Sequence, residues 1–247
     1  MQKDQIIEVW GEFACFTRPE LKVERFSYPV ITPSAARGIY DAIYCKPAEF
    51  RWQITMIELL AEPKYISLRR NEVKDKGPNL RTVQRWMAGK EDPCPIIADG
   101  TSKEMGTDQK GRTQRQTMAL KNVRYRLHAY ISPWAGFENR ITAFEAQFKR
   151  RASQGKCIYQ PYLGCREFPA YFELVMTDGV MGKPKDIDLD IGLMLYDVYD
   201  LSVPGKPLNT DIGDSPSISL FRAEIKQGVL VVPDYESNEV LKGEGYA

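Results

Sequence analysis

Tyr28–Pro47 reads YPVITPSAARGIYDAIYCKP, a sharply started helix that carries a tyrosine to its far end. Thr32 is a good N-cap, and Pro33 suits the first helical position, where a backbone N–H has no intrahelical partner anyway. Ala35, Ala36, Ile39 and Ile43 then recur at helical spacing. Lys46 and Pro47 stop the run, because the residue before a proline avoids the helical region. Tyr44 is left in the last turn, beside a cation. From these residues alone, Tyr44 is either core packing or chemistry, and packing is the commoner role for such a position.

Outward from this helix, the chain alternates strands and helices. Gln5–Phe16 is an opening strand, with Gly11 marking a bulge or a close approach. Phe50–Leu60 is a second strand, and Tyr65–Arg70 continues or pairs with it. Residues 71–116 are rich in Lys, Arg, Gly, Asp and Gln, with one short helix expected at RTVQRWMAG. An insertion of that length is functional or mobile, and partial disorder until a ligand binds is expected of it. Met118–Ile131 alternates: Val123, Tyr125, Leu127, Ala129 and Ile131 make one apolar face, and Arg124, Arg126, His128 and Tyr130 make the other. Arg140–Ser153 is a second helix with Ile141, Phe144, Phe148 and Ala152 on one stripe, and a further strand follows Gly164. The order is βαββαβ, which predicts an α+β fold with a ferredoxin-like, or RNA-recognition-motif-like, domain.

Beyond about Phe168 the chain reads as β-rich. PAYFELVM, IDLDIGLMLYDVYD, SISLFRAEI and GVLVVP are separated by the turn signals TDG, PGKP, GDSP and KQG. Asp186, Asp188 and Asp190 do not make a calcium loop, because Ile191 stands where the sixth position needs glycine. No Walker glycine loop, G-x-S-x-G elbow or H-E-x-x-H is present. A single histidine argues against a histidine-rich metal site, so no metal and no cofactor are expected.

Composition bounds the functions. Five cysteines with no C-x-x-C pair argue against a disulfide framework and fit a reducing, cytoplasmic setting. No run approaches the roughly 18 apolar residues that span a bilayer, Met1–Glu12 lacks a signal-peptide layout, and no membrane partner is expected. The net charge of +1 hides an asymmetry: residues 1–166 carry 28 Lys and Arg against 18 acids, and residues 167–247 carry 6 against 15. Gln109–Phe137 contains no acid at all. Such a split is either a solvated face or a polyanion-binding groove. An arginine-bearing strand face with an aromatic is the way a sheet meets single-stranded RNA, phosphates on arginine and bases on rings.

Three stretches together resemble a known family: EVWGEFACFTRPELKVERFSYPVITPSAARGIYDAIYCKP, the strand NVRYRLHAYI, and YLGCREFPAYF after the second helix. They look like the CRISPR-associated RAMP-superfamily endoribonucleases of type I-C systems, the d-type branch of the fifth Cas family. The resemblance implies an RNA-recognition-like domain over 1–175, with the basic insertion near 71–116, followed by a smaller antiparallel β-sheet domain over 176–247. It implies cleavage of the CRISPR repeat RNA and retention as a subunit of the type I-C interference complex. It further implies a Tyr–Lys–His site. The tyrosine matches Tyr44 in IYCKP; the Lys–His pair aligns near Ala143–Phe144, where neither residue type stands.

The expected catalytic set is therefore Tyr44, Lys149 and His128, the last being the only side chain with a near-neutral reference pKa. The expected RNA-binding set is Arg112, Arg115, Arg124, Arg126, Tyr130, Arg150, Arg151, Gly164 and Arg166. An alternative is a non-catalytic subunit that caps the guide RNA's 5′ end, with double-stranded DNA as a further ligand of the basic face.

Overall fold

A computed structural model describes residues 3–21, 23–107, 109–175, 182–205 and 218–243. The elements in chain order are β1 (Gln5–Ala14), β2 (Arg25–Phe26), α1 (Pro33–Ile43), β3 (Phe50–Leu59), β4 (Tyr65–Val73), α2 (Leu80–Met87), α3 (Ser102–Met105), β5 (Arg112–Pro133), α4 (Ile141–Ala152), β6 (Tyr171–Leu174), β7 (Leu189–Asp197), β8 (Ser219–Lys226), β9 (Val229–Val231) and β10 (Val240–Lys242). Thr32 caps α1 as its sequence requires, accepting the Ala35 N–H at 3.2 Å. The short strands β2 and β10 have no counterpart in the sequence reading; two or three residues are too few to show alternation. The turn signals TDG and GDSP, and the last two residues of PGKP, lie outside the described residues.

The strands form one large sheet in the order β10-β8-β9-β3-β5-β1-β6, with β2 and β4 also on β5 and β7 on β8. The β1–β5, β3–β5, β1–β6, β3–β9 and β7–β8 pairings are antiparallel. Two compact units are distinguished: Ser67–Thr117, and residues 1–66 together with 118–247. Within the first, Asn79 caps α2 by accepting the Thr82 N–H at 2.9 Å, and Thr101 and Glu104 cap α3 reciprocally.

The second unit is built on the apolar face of β5. Val123, Tyr125, Leu127, Ala129 and Ile131 are all buried there, as the alternation predicts. An aromatic cluster covers that side: the Tyr40 ring lies 4.8 Å from Trp52 and 5.6 Å from Phe148, and Phe50 lies 5.0 Å from Phe144. Each phenylalanine of the cluster stabilises the fold by roughly 1.5–3 kcal/mol when fully buried. The buried Tyr40 hydroxyl is within hydrogen-bond distance of the Gln5 and Leu127 carbonyls, at 2.8 and 2.7 Å, so α1 is pinned to two strands at once. Gly11 is the close approach its position suggested: a Cβ there would stand 2.5 Å from Leu163 and 2.9 Å from the Pro169 carbonyl.

Candidate active site

The C-terminal end of α1 gathers the groups that could act on a phosphodiester. The Tyr44 N–H closes the helix on the Tyr40 carbonyl at 2.9 Å, while its own backbone is already extended (φ −152°, ψ 117°). That exit turns the ring onto Phe50, centroid to centroid 5.4 Å, and leaves the Tyr44 carbonyl to accept the Trp52 indole N–H at 2.9 Å. Tyr44 is 8% exposed.

Three cations surround it. Lys46 Nζ lies 2.8 Å from Glu49 Oε1, and Arg140 Nη1 lies 2.6 Å from Glu49 Oε2. Both face the Phe144 ring, at 5.9 and 5.1 Å from its centroid. From α4, Arg151 Nε donates to the Ile43 carbonyl at 2.5 Å, at the last turn of α1. Burial raises the Tyr44 phenol above its ordinary value; the charge of Lys46 pulls it down, Glu49 adds to the rise, and Arg140 and Arg151 pull it down again. The net direction is upward, so at neutral pH Tyr44 is a protonated hydroxyl, able to donate a proton or a hydrogen bond.

The other face of β5 is not the open cationic surface that alternation suggested. Arg126 stands in register with Glu8 on one neighbouring strand and Glu58 on the other. Its guanidinium reaches both, at 2.8 and 2.7 Å, and also the Gly182 carbonyl at 2.9 Å. His128 Nε2 is 2.6 Å from Glu58 Oε1. Arg126 and His128 are both buried, the former at 2% exposure. Neither is available to RNA at the surface, because both are buried against acids supplied by the neighbouring strands. Tyr130 is half-buried and donates to Asp234 at 2.7 Å. Arg124 alone of that row is exposed, paired with Glu8 at 2.6 Å and lying over the Trp10 ring at 5.1 Å. The alternation of β5 sets His128 on the sheet face opposite to the apolar face packed beneath the α1 aromatics, so His128 and Tyr44 are not brought together.

The remaining candidates are dispersed. Lys149 is half-buried and Arg150 exposed on the last turns of α4, the latter bonded to Gln147 at 2.8 Å. Arg112 is exposed, and Arg115 pairs with Glu72 at 3.3 Å, both within the Ser67–Thr117 unit. Arg166 is exposed. Gly164 is required by the backbone: its φ is +84°, and a Cβ would stand 2.1 Å from the Cys15 carbonyl. Lys46, Glu49 and Arg140 escaped the sequence reading of the site. Lys46 and Arg140 were visible only as helix punctuation, although Lys46 lies two residues from Tyr44.

Comparison with known proteins gives the class: residues 6–233 match the profile of the CRISPR-associated Cas5 proteins, in their Cas5d form. Two curated relatives are each named CRISPR pre-crRNA endoribonuclease Cas5d. That of Mannheimia succiniciproducens is 38% identical, over 96% of this chain and 97% of its own. That of Thermus thermophilus is 36% identical, over 98% and 96%. This chain belongs to the Cas5d family. Two solved structures share the fold at lower identity, each covering 97% of both chains with a TM-score of 0.59: a CRISPR-associated protein at 18% identity, and a functionally uncharacterized protein from Streptococcus mutans at 16%.

Proposed function

We propose that this chain is a pre-crRNA endoribonuclease that cleaves the CRISPR repeat RNA by attack of the substrate's own 2′-hydroxyl. The observation that carries the reading is the near-full-length identity to two proteins named for that activity. The corner around Tyr44 supplies groups suited to it. In such a cleavage the 2′-hydroxyl gives its proton to solvent water as its oxygen bonds to phosphorus, the bond to the 5′-oxygen breaks, and a second proton must reach that leaving oxygen. Tyr44, protonated at neutral pH, is the proton donor in this reading. Lys46, Arg140 and Arg151 face the charge that builds on the phosphoryl oxygens, and Glu49 positions the first two. They stand in for the Lys and His that the family resemblance would place at Ala143–Phe144. Lys149 and Arg150, on the same turns of α4, together with Arg112, Arg124 and Arg166, meet the RNA backbone.

The reading extends to the finer architecture. The strand order β3-β5-β1-β6, with α1 and α4 as its two crossovers, supports a ferredoxin-like arrangement within residues 1–175, with 176–247 as a smaller β-sheet domain. We further propose that the protein works in the cytoplasm as a subunit of a type I-C interference complex. The test is incubation with repeat RNA in EDTA, beside the same RNA carrying a 2′-deoxy sugar at the scissile nucleotide. Cleavage of the first and not the second is expected. Cleavage of both, or of neither, overturns the mechanism.

A further inference from the structure

A cavity of about 370 Å³ runs along α1 from Thr32 at its start to Asp41, one turn short of Tyr44. Its floor is the stripe Ser34, Gly38 and Asp41, spaced i, i+4 and i+7 on one face of the helix. Thr17 from the segment after β1, Tyr159 from the loop after α4, and Tyr199 from the loop after β7 complete the wall. The buried edge is fixed. Arg37 is bonded to Asp197 at 2.8 and 3.1 Å and to Asp41 at 2.6 Å, and its guanidinium lies 5.8 Å from the centroid of the Tyr199 ring. The loop bearing Tyr159 is tied to α1 by the Ile158 N–H, which donates to the Ala42 carbonyl at 2.6 Å. The cavity is thus walled by rings and by a charged network that the reaction at Tyr44 does not use.

Gly38 gives the cavity its meaning. It sits in the middle of an 11-residue helix, where glycine is the poorest helix former after proline. Steric need does not explain it: a Cβ there would meet no atom within 4 Å, and its backbone is not in the left-handed region. The fold leaves room for a side chain and the sequence leaves it empty, so the helix surface stays open to something that approaches from the cavity side. From Ser34 to Asp41 is about 10 Å along the helix. That length, with hydroxyls at one end, a carboxylate at the other and tyrosine rings beside it, suits an aromatic base carrying a sugar and a phosphate.

We propose that this cavity holds one unpaired nucleotide of the RNA, its base stacked on the tyrosine wall, its polar edge toward Asp41 and its phosphate toward Ser34 and Thr17. The proposal rests on the nuclease reading above for the identity of the polymer, and it makes α1 serve the substrate twice, holding an unpaired nucleotide along Ser34–Asp41 and presenting Tyr44 at its close. Stacking a base on a ring is sequence-tolerant, and base-edge hydrogen bonds to the half-buried Asp41 carboxylate supply the discrimination.

The test uses the full chain and three variants. Gly38→Leu fills the cavity from its floor, Gly38→Ala leaves most of the space, and Tyr159→Ala removes a ring that is 46% exposed and so carries little of the fold. Each protein is titrated with the four 5′-mononucleotides singly, followed by calorimetry, and assayed for kcat and KM on repeat RNA. Both Gly38 variants should melt at or above the wild-type temperature. Wild type and Gly38→Ala should bind at least one mononucleotide. Gly38→Leu and Tyr159→Ala should bind it more weakly by roughly 5- to 150-fold, the measured range for losing one stacked base. The KM for repeat RNA should rise with that loss while kcat stays level. Absence of mononucleotide binding by wild type, or unchanged binding by Gly38→Leu, overturns the site. Weakened mononucleotide binding with unchanged KM overturns the RNA as its occupant and leaves a free nucleotide. If wild type fails to cleave yet loses nucleotide binding on Gly38→Leu, the nuclease reading falls and the site stands.

Discussion

Tyr44 owes its character to two competing effects, desolvation and the cations beside it, and desolvation prevails. A hydroxyl that stays protonated at neutral pH serves better as proton donor than as base. Replacing it with phenylalanine keeps the ring on Phe50 and removes only the O–H. Tyr44→Phe should slow cleavage by about 10²- to 10⁴-fold, the usual contribution of a positioned acid, with RNA affinity changed less than about threefold; equal single-turnover rates for the two proteins would remove Tyr44 from the reaction. Two arginines two residues apart make a second contrast. Arg126→Ala leaves Glu8 and Glu58 without their shared partner in the interior, and breaking a buried pair in this way costs about 3–5 kcal/mol. Arg124→Ala removes an exposed pair, worth about 0–1 kcal/mol. Urea unfolding separates them, and similar midpoints for both variants would contradict the burial of Arg126.

Among the elements, β5 carries most of the organisation. Its apolar face was legible because alternation is a local property of the chain, and Val123 to Ile131 need no partner to reveal it. The fate of its polar face was not legible. Whether an arginine on a strand meets solvent or a carboxylate depends on the register of the next strand, and Glu8 lies more than a hundred residues from Arg126 in sequence. The row Glu8–Arg126–Glu58 gives a pH dependence. Burial alone would raise the Glu8 carboxyl, but hydrogen bonds and charge from Arg124 and Arg126 outweigh it and leave the group below its ordinary 4.5. Its contribution is therefore complete above that value and is lost as pH falls through the lowered folded-state value. The stability difference between wild type and Glu8→Gln should be constant from pH 8 to 6 and shrink in more acidic solution. A difference that grows on acidification would reverse the sign of the coupling.

At the scale of the whole molecule, the Ser67–Thr117 unit is an excursion from a hairpin. The Lys121 N–H donates to the Lys64 carbonyl at 2.8 Å, so the chain leaves and returns at neighbouring strand positions. The excursion carries eleven Lys and Arg against seven acids. Replacing it by a two-residue Asn-Gly turn should leave residues 1–66 and 118–247 unfolding in a single transition. It should also flatten the dependence of RNA affinity on salt, since every cation taken off a phosphate lowers that slope by somewhat less than one. An unchanged slope would show that the unit does not touch the RNA.

The sequence by itself determined the longer elements and the family, though not the short β2, α3 and β10. Caps, stop signals and periods of two and 3.6 act within a few residues, and the block around Thr32–Pro47 is specific enough to name its relatives. Tertiary structure alone decided which charges are spent and which are available. It buried Arg126 and His128 against acids from other strands, and it assembled Lys46, Glu49, Arg140 and Arg151 around Tyr44 from two helices and a loop. It also left Gly38 facing open space. The pairs of Arg126 and His128 and the approach of Arg140 and Arg151 to the Tyr44 corner depend on neighbours distant in sequence, and no local rule of propensity or spacing encodes which of them will meet.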